Sequence, residues 1–245
     1  MRIEWTRMIG MWRYATGLAL AGLVVFGLVQ FTRLPVFQVR QVDISGTQRV
    51  TSEQTRLVIA DYVKGSLFDL NLDRIRAGFG KLPWVRAVDV RRVWPNRLVV
   101  RLEEHQPLAR WNEDALLDTH GDVFMAATDM KLVRLAGPEG SNQQVRAEWQ
   151  QFSRILSPLR RSVVNLTLDD RQSWQMVLDN GTRIELGRQD MDARLSRWVR
   201  LMPQMQAWLP QPLVRVDLRY PQGIAVEMAQ QQAIVPDKQK EGKQS

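Results

Sequence analysis

The first hydrophobic run is the most continuous: residues 14–31 (YATGLALAGLVVFGLVQF) carry no formal charge over 18 positions and leave a helix with no charged face. About 20 such residues span the hydrocarbon layer of a bilayer, and Trp5, Trp12 and Tyr14 stand where an interfacial aromatic belt belongs. The run continues into QFTRLPVFQV with no A-x-A site, so it reads as an uncleaved anchor rather than a signal peptide. Shorter segments follow. Residues 37–45 are rich in strand formers, with a change of parity between Val39 and Val42 that predicts a bulge or twist before Gly46. Thr51 and Gln54 have capping-box spacing, Val58, Ile59, Tyr62 and Val63 share a helical face, and Gly65 is placed to stop that helix. Asn71 caps a second helix in which Leu72, Ile75, Phe79 and Leu82 recur until Pro83 ends it. Strands are predicted over 85–93 and 98–102 about the turn Trp94-Pro95-Asn96, with Trp84 buried against Ile75 and Phe79. Strand, helix, helix, strand, strand over about 70 residues makes a small α+β unit.

A second, strand-rich unit begins near Pro107. Residues 115–118 and 123–125 flank Thr119-His120-Gly121, a hairpin signature, and 131–135 is another short strand. Val145, Trp149, Phe152 and Leu156 place a helix over 142–156. Residues 163–168, 174–178 and 182–186 read as strands, the last two joined by Asp179-Asn180-Gly181. Met191, Leu195, Trp198 and Met202 mark a second long helix, and strands at 213–218 and 224–228 close the unit. The Gln- and Lys-rich segment 229–245 lacks core-forming residues and is expected to be disordered.

With 44% hydrophobic and 24% charged residues, the chain of 245 is that of a folded protein, and the absence of cysteine excludes disulfides and thiolate chemistry. The net charge of +8 fits acidic partners: nucleic acid, anionic lipid or acidic protein. Arg2, Arg7 and Arg13 before the anchor balance Arg33, Arg40 and Arg49 after it. The short tail 1–13 gains its amino group, and long domains translocate largely regardless of charge, so the tail is expected in the cytoplasm and residues 32–245 outside it.

Candidate chemistry is sparse. His105 and His120 lack metal-ligand spacing and read as surface or turn residues. No G-x-S-x-G or S-x-x-K motif occurs. Gly78-Phe79-Gly80 precedes Lys81-Leu82-Pro83 and ends a helix, where a phosphate loop would start one. Asp169-Asp170 reads as a turn. Residues 33–105 hold 13 Lys and Arg against 8 Asp and Glu, crowded near the hairpin at Arg86, Arg91, Arg92, Arg97 and Arg101. Beside a membrane, such a surface meets anionic headgroups or solvent rather than nucleic acid. No catalytic residue, metal site or cofactor is assigned.

Three stretches carry a family resemblance: Gly65-Ser66-Leu67-Phe68-Asp69-Leu70-Asn71-Leu72-Asp73, Leu82-Pro83-Trp84-Val85-Arg86, and Arg92-Val93-Trp94-Pro95-Asn96-Arg97-Leu98. Together they resemble the polypeptide-transport-associated (POTRA) domain of the FtsQ/DivIB family of bacterial cell-division proteins. Leu117-Asp118-Thr119-His120-Gly121-Asp122-Val123-Phe124 is similar to the opening of that family's strand-rich domain, and Val216-Asp217-Leu218-Arg219-Tyr220 to the lead into its last strand. Pro221-Gln222 and Glu227-Met228 depart from the family pattern. The resemblance implies a POTRA domain over 36–105, a strand-rich domain over 107–228, and a non-catalytic, single-pass inner-membrane scaffold of the divisome. That scaffold would bind FtsB and FtsL in the periplasm and other divisome membrane proteins through the POTRA domain.

The expected partner site is the terminal strand and its approach: Arg219, Tyr220, Gly223, Ile224 and Val226, with Arg171 added by a weaker match. A terminal strand at a sheet edge offers backbone groups to an extended segment such as FtsB. Tyr220 supplies a ring and a hydroxyl, Gly223 admits a close backbone, and the arginines pair with carboxylates. The opposing reading makes Tyr220 a core residue and Arg171 a solvated turn. A rival function, a POTRA-type polypeptide-binding module in export or outer-membrane assembly, would call for repeated POTRA units or many barrel strands, and no internal repeat is present.

Overall fold

The computed structural model describes residues 17–27, 29–31, 34–208, 211–221 and 223–229. Residues 17–27 and 29–31 are helical and expose Leu18, Leu20, Leu23, Val24, Val25, Phe26, Val29 and Phe31. No helix among the described residues is long and apolar enough to cross a membrane. Residues 14–16 and 28 of the expected span, the expected tail 1–13 and nearly all of the expected disordered segment lie outside the described residues. The chain divides into two units, Met1–His105 and Gln106–Ser245.

In the first unit, Leu98, Val100, Leu102 and Glu104 point inward at every second position of β3 (Arg97–Glu104). This strand is central: β1 (Gln41–Ser45) pairs with it in parallel and β2 (Val85–Val93) antiparallel. Helices α1 (Ser52–Tyr62) and α2 (Leu72–Phe79) supply Val58, Ile75 and Phe79 to the core that holds Leu98, Val100 and Leu102. Both caps form as their sequences dictate. Thr51 and Gln54 close a full capping box, and Asn71 Oδ1 accepts the Arg74 N–H at 3.0 Å. Gly78 permits close helix contact, because a Cβ there would lie 2.8 Å from the Tyr62 ring.

Several expectations shift in detail. β1 starts at Gln41, because Pro35–Phe37 forms a 3-10 turn and Gln38 makes only an isolated bridge to Ser66. α2 ends at Phe79, three residues before Leu82, where Gly80 caps it with an N–H to Arg76 O. Trp84 is half-buried, and the Arg49 guanidinium lies 4.5 Å above its ring. Two long-range polar contacts hold the loops. Glu104 Oε1 accepts the N–H groups of Gln48, Arg49 and Val50 at 2.8 to 2.9 Å, fastening the approach to α1. Arg92 reaches Leu67 O through Nε at 2.8 Å and Leu70 O through Nη2, so one family stretch clamps another.

The second unit is a nine-stranded sheet in the order β12-β11-β10-β9-β8-β7-β4-β5-β6. β4 (Pro107–Trp111), β5 (Ala115–Asp118) and β6 (Val123–Phe124) form one end, and β7 (Val133–Ala136) joins them to β8 (Val163–Leu168). The strand β4 escapes the sequence reading, since it opens on a proline and holds only five residues. β9 (Trp174–Leu178) and β10 (Arg183–Gly187) make the Asn-Gly hairpin, followed by β11 (Leu213–Asp217) and β12 (Ala225–Met228). Two parallel crossovers run through helices, α3 (Asn142–Leu156) between β7 and β8 and α4 (Met191–Trp208) between β10 and β11. Phe152 and Trp198 from these helices join Leu166, Met176 and Ile184 in one core. The α+β mixture, a strand-helix-helix-strand-strand unit followed by a strand-rich unit with two longer helices, agrees with the sequence reading.

Candidate functional site

β12 is the outermost strand at one end of the large sheet and pairs only with β11 among the described strands. Its alternation is set by the core: Ile224 and Val226 are half-buried and pack inward, whereas Ala225 and Glu227 are exposed. The side chains of Ile224 and Val226 therefore anchor the strand, and an incoming segment would meet its backbone together with Ala225 and Glu227. Tyr220 and Gly223 precede the strand and are exposed, Tyr220 to 56%, which places its ring outside the core. Arg197 Nη1 donates to Pro221 O at 2.7 Å and ties this approach to α4.

Arg171 and Arg219, far apart in sequence, line one depression of about 440 Å³. Arg171 is carried at the tip of the β8–β9 turn, where Asp169 Oδ1 accepts the backbone N–H of Arg171 at 2.9 Å and of Ser173 at 2.7 Å. Asp169 thus acts as a turn cap, not as one of two catalytic carboxylates. Gly187, at φ +75°, leaves room for Arg219, whose Cγ would be 3.2 Å from a Cβ at that position. Arg188 and Arg194 complete the basic lining. Neither was singled out from the sequence; the only local signal is the Arg-rich run that surrounds the start of α4.

The register Glu185↔Asp217 brings two mostly buried carboxylates together on adjacent strands, where two arginines meet them. Glu185 pairs with Arg215 at 2.6 Å and with Arg219 at 3.2 Å. Asp217 accepts Arg219 Nη2 at 2.6 Å and Nε at 3.0 Å. Hydrogen bonding from the Arg219 side chain holds the Asp217 carboxyl below the usual carboxylate range, outweighing the opposite pull of burial. The same contact raises the affinity of Arg219 for its proton. Arg171 and Arg188 make no ion pair among the described residues.

The remaining candidates resolve into structure. His105 is buried, not on the surface, and its backbone N–H donates to Trp84 O at 2.9 Å. His120 lies in the hairpin turn with Nδ1 3.8 Å from Asp118 Oδ2. Among the described residues no group of three or more His, Asp or Glu could hold a metal ion. The basic crowding of the first unit is partly paired: Arg86 with Glu103, Arg97 with Asp43, and Arg92 with the two loop carbonyls.

Two family models match the chain, the FtsQ-type POTRA domain over residues 37–105 and the C-terminal domain of cell division protein FtsQ/DivIB over 109–219. The chain is 39% identical over 214 residues to the cell division protein FtsQ of Nitrosospira multiformis, covering 84% of this chain and 91% of that protein. It is 34% identical over 220 residues to the FtsQ of Burkholderia pseudomallei, covering 86% and 88%. The FtsQ of Coxiella burnetii is 31% identical over 218 residues, covering 86% and 90%.

Proposed function

Because the chain belongs to the FtsQ/DivIB family of bacterial cell-division proteins, we propose that it is a non-catalytic scaffold of the divisome, anchored in the inner membrane by residues 14–31. Its C-terminal units lie in the periplasm at the division septum, bind FtsB and FtsL, and link early to late division proteins. One observation carries this reading: an outermost strand, β12, approached by an exposed Tyr220 and accompanied on the same unit by a depression lined by Arg171 and Arg219. An extended segment of FtsB adds to the backbone edge of β12, and acidic side chains on the partner engage the arginines.

The test is FtsB binding by the full-length protein with Tyr220→Ala, Arg171→Glu or Ile224→Pro. Ile224 precedes the paired residues of β12, so a proline there spares the ladder to β11. Each change weakens binding at least about tenfold, as expected for an anchor residue or a blocked edge; the melting temperature stays close to that of the parent for Tyr220→Ala and Arg171→Glu and falls modestly, with the fold kept, for Ile224→Pro, which removes a side chain packed on the core. Parental affinity in all three overturns the site. Loss of the fold in all three makes these residues structural.

A further inference from the structure

Four aromatic residues from four separate segments meet in the first unit, and Leu34 and Val36 lie beside one of them along the chain. Phe31 belongs to the apolar helix, Leu34, Val36 and Phe37 to the 3-10 turn and its approach, Phe68 comes from the loop before α2, and Trp94 from the β2–β3 turn. Their rings form a chain: Phe31 to Phe37 at 5.2 Å between centroids, Phe37 to Phe68 at 5.0 Å, and Phe68 to Trp94 at 4.6 Å. Five of the six are substantially exposed, from 41% at Phe68 to 53% at Phe31. A contiguous exposed cluster of large apolar groups on a folded unit marks a contact surface.

We propose that this cluster is a membrane-docking face that seats the POTRA domain in the headgroup layer of a phospholipid bilayer. The inference rests on the reading of residues 14–31 as the anchor and adds a second contact to it. Covalent continuity identifies the occupant. Phe31 is the last residue of the uncharged run, and the distances from Phe31 to Phe37 and from Phe37 to Trp94, 5.2 and 6.1 Å, keep the Trp94 ring within about 11 Å of it. A helix that crosses the hydrocarbon layer brings Phe31 to its boundary, and the polar zone beyond is roughly 5 to 8 Å deep on each side. Aromatic rings with one polar edge are the side chains that settle at that depth. Trp94, with its indole N–H, would sit in the outer belt, and Phe68 packs against it with ring centroids 4.6 Å apart. Arg40, exposed and bonded through its N–H to Asn96 O at 2.9 Å, and Arg97 flank the Trp94 turn with positive charge that suits anionic headgroups. The docked face holds the domain at a fixed tilt to the membrane instead of on a free tether.

The chain has no cysteine, so a single introduced thiol is a unique labelling point. Full-length protein carrying an environment-sensitive fluorophore at Phe68→Cys or at Trp94→Cys is reconstituted into vesicles of phosphatidylethanolamine and phosphatidylglycerol. Glu103→Cys serves as the distant reference, since six strand residues from Arg97 amount to about 20 Å. Val24→Cys reports the anchor itself. Lipids bearing a nitroxide just below the headgroup quench labels at 68 and 94 at least about twofold more than at 103, and aqueous iodide quenches them less. Deep quenching at 24 with labels at 68 and 94 behaving like 103 overturns the docking face alone and leaves the surface to a protein partner. Absence of lipid quenching at 24 overturns the anchor, and the docking face with it.

Discussion

Asp217 couples the stability of the second unit to acid. Its side chain is 11% exposed and its carboxyl is held below the usual range by Arg219, so in the unfolded chain it binds a proton more readily than in the folded one. The contribution to stability is complete above the unfolded carboxylate pKa of about 3.9 and is lost as the pH falls through the lower folded value. Arg219 is itself about half exposed, which limits the pair to about 1 kcal/mol. Arg219→Ala should therefore lower the melting temperature by about 4 °C at neutral pH, with the gap to the parent closing in acid below the ordinary carboxylate range. A gap that persists unchanged at low pH would mean that Arg219 acts through packing alone. Neither Glu185 nor Asp217 stands out in the sequence, because each is one charged residue in a strand, and only the parallel register of β10 with β11 makes them neighbours.

Helices were legible where their end signals are local. The capping box at Thr51, the Asn71 cap and the apolar stripe of α3 depend on residues within one or two turns, and all three appear in the fold. Ends set by distant contacts were not: α2 stops early because Gly80 and the turn that leads to Trp84 redirect the chain into β2. Trp84 ties these elements together, packing against the core of the first unit while Arg49 covers its ring. Since it is half-buried rather than enclosed, Trp84→Ala should destabilise by about 2 kcal/mol, below the usual 3 to 5 for a fully buried aromatic. Thermal or urea unfolding of the full chain checks this, and an unchanged first-unit transition would show that the ring contributes nothing to the α2–β2 contact. In β12 the alternation again decides a role, because Ile224 and Val226 are held by the core and leave Ala225 and Glu227 to face outward.

For the whole molecule the decisive measurement is topology. A reporter fused after Asp114 should be active if it requires the periplasm and silent if it requires the cytoplasm; the reverse result overturns both the anchor orientation and the divisome role built on it. By itself the sequence determined the properties that rest on neighbours along the chain. These are the uncharged run, the helix caps, the Asn-Gly hairpin, the α+β order of elements and the family stretches, because periodicity and turn chemistry act within a few residues. Tertiary structure alone decided the properties that rest on pairing. It placed β12 at the end of a nine-stranded sheet, gathered Arg171, Arg188, Arg194 and Arg219 around one depression, buried Glu104 beneath three loop N–H groups, and joined Phe31 to Trp94 through a chain of rings. Strand order and register are set by contacts between segments tens of residues apart, and many pairings satisfy the same alternation until a common core selects one of them.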